Sequence, residues 1–158
     1  MKKETKKLII FVCTFNQTRS TMAEFIMKKL FKDAGMNDRY RTISRGALPD
    51  LPRVIMNPGT QAELKANRIP FRRKYSCSLS ESESARAEYI FVMEKQHLDI
   101  IRERFPASDL SKIHLLGGFP TRSYDIPNMD FDLMFAEIAR DCQAILKFLE
   151  QRDASDQK

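Results

Sequence analysis

Cysteine is scarce in this sequence: Cys13, Cys77 and Cys142 are the only three in 158 residues. They are too few and too scattered for a disulfide framework, and no pair has zinc-ligand spacing. They read as reduced thiols of a cytoplasmic protein. The two histidines, His97 and His114, stand apart and form no ligand pattern, so surface or packing roles are expected for both. Long apolar runs are missing too, and none is long enough to span a membrane. The opening "MKKETKKLIIFVCTF" turns from basic to apolar as a secretory leader does. Its apolar part, Leu8 to Val12, is short, and "NQTRS" follows in place of a small-residue cleavage site, so a buried strand explains it better. There is no internal repeat and no interdomain linker. A single domain over 1–158 is expected, with 151–158 a frayed tail.

What is present is a globular composition, 42% hydrophobic and 30% charged, with a net charge of +6. The excess of cations fits either a well-solvated surface or an acidic partner such as a phosphorylated protein or nucleic acid. "KLIIFVC" (7–13) predicts a strand buried on both faces, as in a parallel sheet. A helix follows from Ser20, with Thr21 and Glu24 as a capping box and Gly35 as its stop. "YRTIS" (40–44) predicts a second strand, and "NPGTQAELKANR" (57–68) a helix capped by Asn57 with Pro58 at its first position. Ser80 and Glu83 form another capping box before a short helix. "YIFVM" (89–93), a helix over 95–105, "KIHLL" (112–116) and a long amphipathic helix over 131–151 complete the pattern. Alternating strands and helices imply an α/β fold: a four-stranded parallel sheet with helices on both faces. Ligands of such folds bind beyond the carboxyl ends of the strands, and Cys13 sits at one of them.

The loop from Cys13 to Arg19 therefore joins a buried strand to a helix start. Unpaired N–H groups at a helix N-terminus make an anion site. Arg19 adds a planar fork suited to two phosphate oxygens. A thiol in such a field is favoured as the thiolate nucleophile. The alternative is a buried structural cysteine beside a surface arginine.

"VCTFNQTRSTMAE" (12–24) resembles the active-site segment of low-molecular-weight protein tyrosine phosphatases, V-C-x-G-N-x-C-R-S-x-x-A-E. "SRGA" (44–47), "NPGTQAELKANRI" (57–69), "YIFVMEKQHLDIIRERFP" (89–106) and "KIHLLGGF" (112–119) are similar to further family segments, so the resemblance runs almost the whole chain. It implies strand order 2-1-3-4 and a two-step hydrolysis of phosphomonoesters that needs no metal or cofactor. Cys13 would be the nucleophile. Arg19 and the loop from Thr14 through Phe15, Asn16, Gln17 and Thr18 would hold the oxygens. Ser20 would hydrogen-bond the thiolate, and Asn16, tied to Ser44, would hold the loop open. The implied partners are a phosphorylated protein or small phosphomonoester, with inorganic phosphate as product; neither a membrane nor nucleic acid is expected. Phosphotyrosine is the expected substrate, and phosphoarginine remains open.

Three positions depart from the family pattern. Phe15 replaces a glycine, so it either strains a left-handed position or lies on the pocket rim. Thr18 replaces a second cysteine that can shield the nucleophile from over-oxidation. Asn128 stands where the family's acid, the aspartate of an Asp-Pro pair, is expected. In "YDIPNMDFD" (124–132) Asp125 is the assigned acid, with Asp130 or no acid as alternatives. A weak or inactive phosphate-binding module and a thiol-linked arsenate reductase are the competing readings.

Overall fold

The structure is a computed structural model that describes residues 5–157. The first four residues of the basic opening, and Lys158, lie outside that range. The sheet consists of β1 (Lys7–Cys13), β2 (Tyr40–Gly46), β3 (Tyr89–Val92) and β4 (Ile113–Leu115). All paired strands are parallel and the order is β2-β1-β3-β4. The helices are α1 (Arg19–Asp33), α2 (Pro58–Ala66), α3 (Glu81–Arg86), α4 (Lys95–Arg104) and α5 (Phe131–Asp156).

Side chains alternate across a strand, and β1 divides the core accordingly. Ile9, Phe11 and Cys13 face α1 and α5, packing with Met22, Ile26, Ile138 and Ile145. Leu8, Ile10 and Val12 face the opposite layer with Ile90, Val92, Ile101 and Phe105. Burial on both sides accounts for the unbroken apolar run. α1 ends in a Schellman motif: Gly35 takes φ +69°, Met36 N–H reaches Phe31 C=O at 2.8 Å, and Gly35 N–H reaches Lys32 C=O at 3.1 Å.

Two local expectations are corrected. The capping box at Thr21 and Glu24 does not form, because α1 begins at Arg19 with Thr18 as N-cap and no side-chain cap. Thr21 Oγ1 instead donates back to Thr18 C=O at 2.9 Å. The tail from 151 is helical as far as Asp156. It is held there because Asp153 accepts from Tyr40 Oη at 2.9 Å and from Arg39 at 3.0 Å, while Arg152 donates to Tyr89 Oη at 2.6 Å.

Candidate active site

Cys13 closes β1, the central position of the sheet, and Arg19 opens α1. Between them the chain must turn sharply enough to bring a strand end to a helix N-terminus. Asn16 makes that turn with φ +59°, the left-handed region that asparagine tolerates better than most residues. It is fully buried, and its side-chain amide makes three hydrogen bonds. Its Nδ2 donates to Ser20 Oγ at 2.9 Å, and its Oδ1 accepts from Lys74 Nζ at 2.9 Å and from Cys77 N–H at 3.1 Å. Ser20 Oγ in turn lies 3.0 Å from Cys13 Sγ.

Among the described residues, none of the backbone N–H groups of Thr14, Phe15, Asn16, Gln17 or Thr18 donates a hydrogen bond within the protein. The missing side-chain cap at Thr18 leaves the first turn of α1 equally open. The result is a run of unspent donors between a thiol and a guanidinium. Arg19 is 3% exposed, and its Nη1 is shared between the Glu94 carboxylate and Ile126 C=O, the latter at 2.8 Å. Glu94 immediately precedes α4 and Ile126 lies in the segment before α5, so the guanidinium is aimed by parts of the chain far apart in sequence. His97 is fully buried and lies 2.8 Å from Thr14 Oγ1 through Nε2. Burial, then the nearby Arg19 charge, pushes its pKa down to about 4. Lys74 is also held below the ordinary lysine value, chiefly by burial.

A sequence model described as low molecular weight phosphotyrosine protein phosphatase matches residues 8–154. The chain belongs to the low molecular weight phosphotyrosine protein phosphatase family. It is 30% identical over 155 residues to the low molecular weight protein-tyrosine-phosphatase YfkJ of Bacillus subtilis, covering 95% of this chain and 96% of the relative. It is also 30% identical over 149 residues to PtpA of Staphylococcus saprophyticus, covering 89% and 92%. The crystal structure of YfkJ from Bacillus subtilis shares the fold, with a TM-score of 0.86 at 22% identity over 96% of this chain and 99% of that one. The protein is thus a cysteine-based phosphatase of the low molecular weight type.

The phosphatase handles its departures from the family pattern in identifiable ways. Phe15 carries no left-handed strain; the positive φ falls one residue later, on Asn16. Phe15 is instead 55% exposed. Ser44 does not hold Asn16. Its hydroxyl donates to the buried Glu24 carboxylate at 2.6 Å, a stronger acceptor than an amide, and Lys74 takes the place expected for Ser44. Gln17 and Thr18 contribute backbone: Gln17 C=O accepts from Asn57 N–H at 3.0 Å, and Thr18 C=O from Met22 N–H at 2.9 Å.

Asp125 is exposed, and its Oδ1 accepts from Lys95 N–H at the start of α4 at 2.9 Å. Asp130 is the residue before α5 and makes no side-chain capping bond. Asp125 therefore caps α4, while Asp130 sits at the N-terminus of α5. The chain segment at Asp125 nevertheless abuts the loop, since the next residue, Ile126, touches Arg19.

The other thiols stand off from Cys13. Cys142 is buried on α5, and burial pushes its pKa above the normal thiol range. Cys77 is exposed, but β2 lies between it and Cys13: Cys13 pairs with Gly46, and Gly46 N–H donates to Cys77 C=O at 2.8 Å. Two interstrand spacings amount to roughly 9–10 Å between Cα atoms, beyond the ~7 Å limit for a disulfide. Among the described residues no cluster of His, Cys, Asp or Glu is placed to hold a metal ion, and no helix is long and apolar enough to cross a membrane.

Glu94, His97, Lys74 and Glu24 are the site residues that sequence reasoning passed over. Each acts through a contact made only by folding. The one available signal was the position of "MEKQH" directly after a strand, at the carboxyl edge where such sites form.

Proposed function

We propose that the phosphatase hydrolyses phosphorylated side chains of proteins, phosphotyrosine first among them, through a cysteinyl-phosphate intermediate. The observation that carries this reading is the run of unpaired amides from Thr14 to Thr18, set between the Cys13 thiol and the Arg19 guanidinium. That run is complementary to a dianionic phosphoryl group.

Cys13 Sγ attacks phosphorus as the bond to the ester oxygen breaks, and the leaving oxygen takes a proton from Asp125. The loop amides and Arg19 hold the three equatorial oxygens, whose charge is spread over all of them in the transition state. In the second step Asp125 accepts a proton from water as the water oxygen attacks phosphorus. The S–P bond then breaks, and sulfur leaves as a thiolate stabilised by the Ser20 hydroxyl, whose oxygen is 3.0 Å away. Inorganic phosphate is the product, and the balance needs nothing beyond water. The exposed Phe15 offers an apolar face to a substrate ring.

Asp125 is assigned the acid because its neighbour Ile126 lies against Arg19, whereas Asp130 lies four residues further on. A general acid typically contributes ~10²–10⁴-fold, most for poor leaving groups. Asp125→Asn is therefore expected to slow an alkyl phosphate far more than a nitrophenyl phosphate, and Asp130→Asn to leave that ratio alone. Leaving-group sensitivity appearing in Asp130→Asn would move the assignment there. Turnover of a phosphotyrosyl peptide tests the substrate class; hydrolysis of a phosphoarginyl peptide alone would replace it.

A further inference from the structure

His97 is fully buried, yet nothing in the two-step reaction uses it. Its ring makes two contacts whose directions can be worked out. The backbone N–H of Glu94 donates to Nδ1 at 3.0 Å, so Nδ1 carries a lone pair. Burial, reinforced by the Arg19 charge, keeps the ring neutral at working pH, against the smaller opposing influence of Glu94 and Asp125. A neutral imidazole with a bare Nδ1 holds its proton on Nε2, and that N–H must donate to Thr14 Oγ1 at 2.8 Å. Thr14 Oγ1 thereby acts as the acceptor, and its own hydroxyl proton is left over. Glu94, whose N–H fixes the tautomer, also binds Arg19 through its carboxylate. The start of α4 thus grips the loop at both ends, through Thr14 beside the nucleophile and through Arg19.

We propose that His97 is a positioning residue for the phosphate loop, and that it turns the Thr14 hydroxyl into a side-chain donor to the bound phosphoryl group. The proposal rests on the reading of the Cys13–Arg19 loop as the phosphoryl site. It adds to that reading a donor that depends on a side chain 83 positions away.

The test uses inorganic sulfate, a dianion across the whole working pH range, as a competitive inhibitor of aryl phosphate hydrolysis by the full chain. Thr14→Val removes the hydroxyl at nearly constant shape, and Thr14→Ser keeps it. In His97→Asn the amide oxygen sits near the Nδ1 position and can still accept from Glu94 N–H, but no donor reaches Thr14. In His97→Gln the terminal amide sits near the Nε2 position and restores a donor.

A hydrogen bond to a charged group is worth roughly tenfold to a hundredfold in affinity. Thr14→Val and His97→Asn are each expected to weaken sulfate inhibition within that range, and the double variant no further than the worse single one. Thr14→Ser and His97→Gln are expected to recover most of the loss. Multiplicative losses in the double variant, or wild-type sulfate affinity in Thr14→Val, would overturn the proposal. Thr14→Val carries this result even if the His97 variants unfold, because Thr14 lies on the loop and not in the core. A wild-type enzyme that sulfate does not inhibit would overturn the phosphoryl-site reading itself, a separate failure.

Discussion

Asn16 is the residue on which the loop's shape is expected to depend most. Replacing it with alanine removes donation to Ser20 and acceptance from Lys74 and Cys77 N–H. Neutral hydrogen bonds are worth about 1 kcal/mol each, and one from an ammonium about 1.5–3 kcal/mol. Alanine at φ +59° adds roughly 1–2 kcal/mol of left-handed cost. The sum, about 4.5–7 kcal/mol, is a large part of the ~5–15 kcal/mol that holds a domain together. Asn16→Gly loses the same three bonds but not the backbone cost. Glycine gives back about 0.4–1 kcal/mol through its freer unfolded chain. Taking the middle of these ranges, Asn16→Gly should be more stable than Asn16→Ala by about 0.8 kcal/mol, the reverse of the usual order of these two residues. Urea unfolding followed by circular dichroism, with equal m-values for the two variants, reads the difference as a shift in midpoint. Equal midpoints, or alanine above glycine, would refute the argument that Asn16 is chosen for its backbone as well as its amide.

Two further outcomes follow from the thiols and from α5. Because Thr18 replaces the neighbouring cysteine and β2 separates Cys77 from Cys13, mild peroxide should carry Cys13 past sulfenic acid to irreversible oxides. Peptide mass spectrometry checks this, and a Cys13–Cys77 disulfide would contradict it. Asp141 on α5 is 3% exposed, and burial, with Glu137 beside it, pushes its pKa up to about 8. The folded state then holds a proton that the unfolded state releases near the ordinary aspartate value, so the contribution of Asp141 to stability falls as pH rises from about 4 to about 8. Asp141→Asn should remove that loss, and its melting temperature should gain on wild type as pH rises through this window. A constant difference between the two would show that Asp141 ionises as readily folded as unfolded.

Much of the fold was legible because it rests on local chemistry. The β1 run, the Gly35 stop, the Asn57 cap with Pro58 and the Ser80–Glu83 box all act within a few residues, and each forms as expected. The strand order is the one implied by the family resemblance. The start of α1 was misread because Thr21 and Glu24 have a capping box's spacing, while Glu24 is drawn off to Ser44 across the gap to β2. The tail was misread for the same kind of reason: "RDASDQK" lacks apolar periodicity, and its helix is held by polar contacts to Tyr40, Arg39 and Tyr89. In the site, Cys13, Arg19 and Ser20 could be read from one short segment. Glu94, His97 and Lys74 reach the loop from separate parts of the chain, and no spacing along the sequence encodes those meetings.

In the proposed mechanism Cys13 carries the phosphoryl group between the two steps. Acid-quenching the enzyme during turnover of an aryl phosphate, followed by peptide mass spectrometry, tests it most directly. A single phosphoryl group is expected on the peptide containing Cys13, absent from Cys13→Ser under the same conditions, with no turnover in that variant. A phosphoryl group on any other residue, or turnover by Cys13→Ser at the wild-type rate, would contradict it.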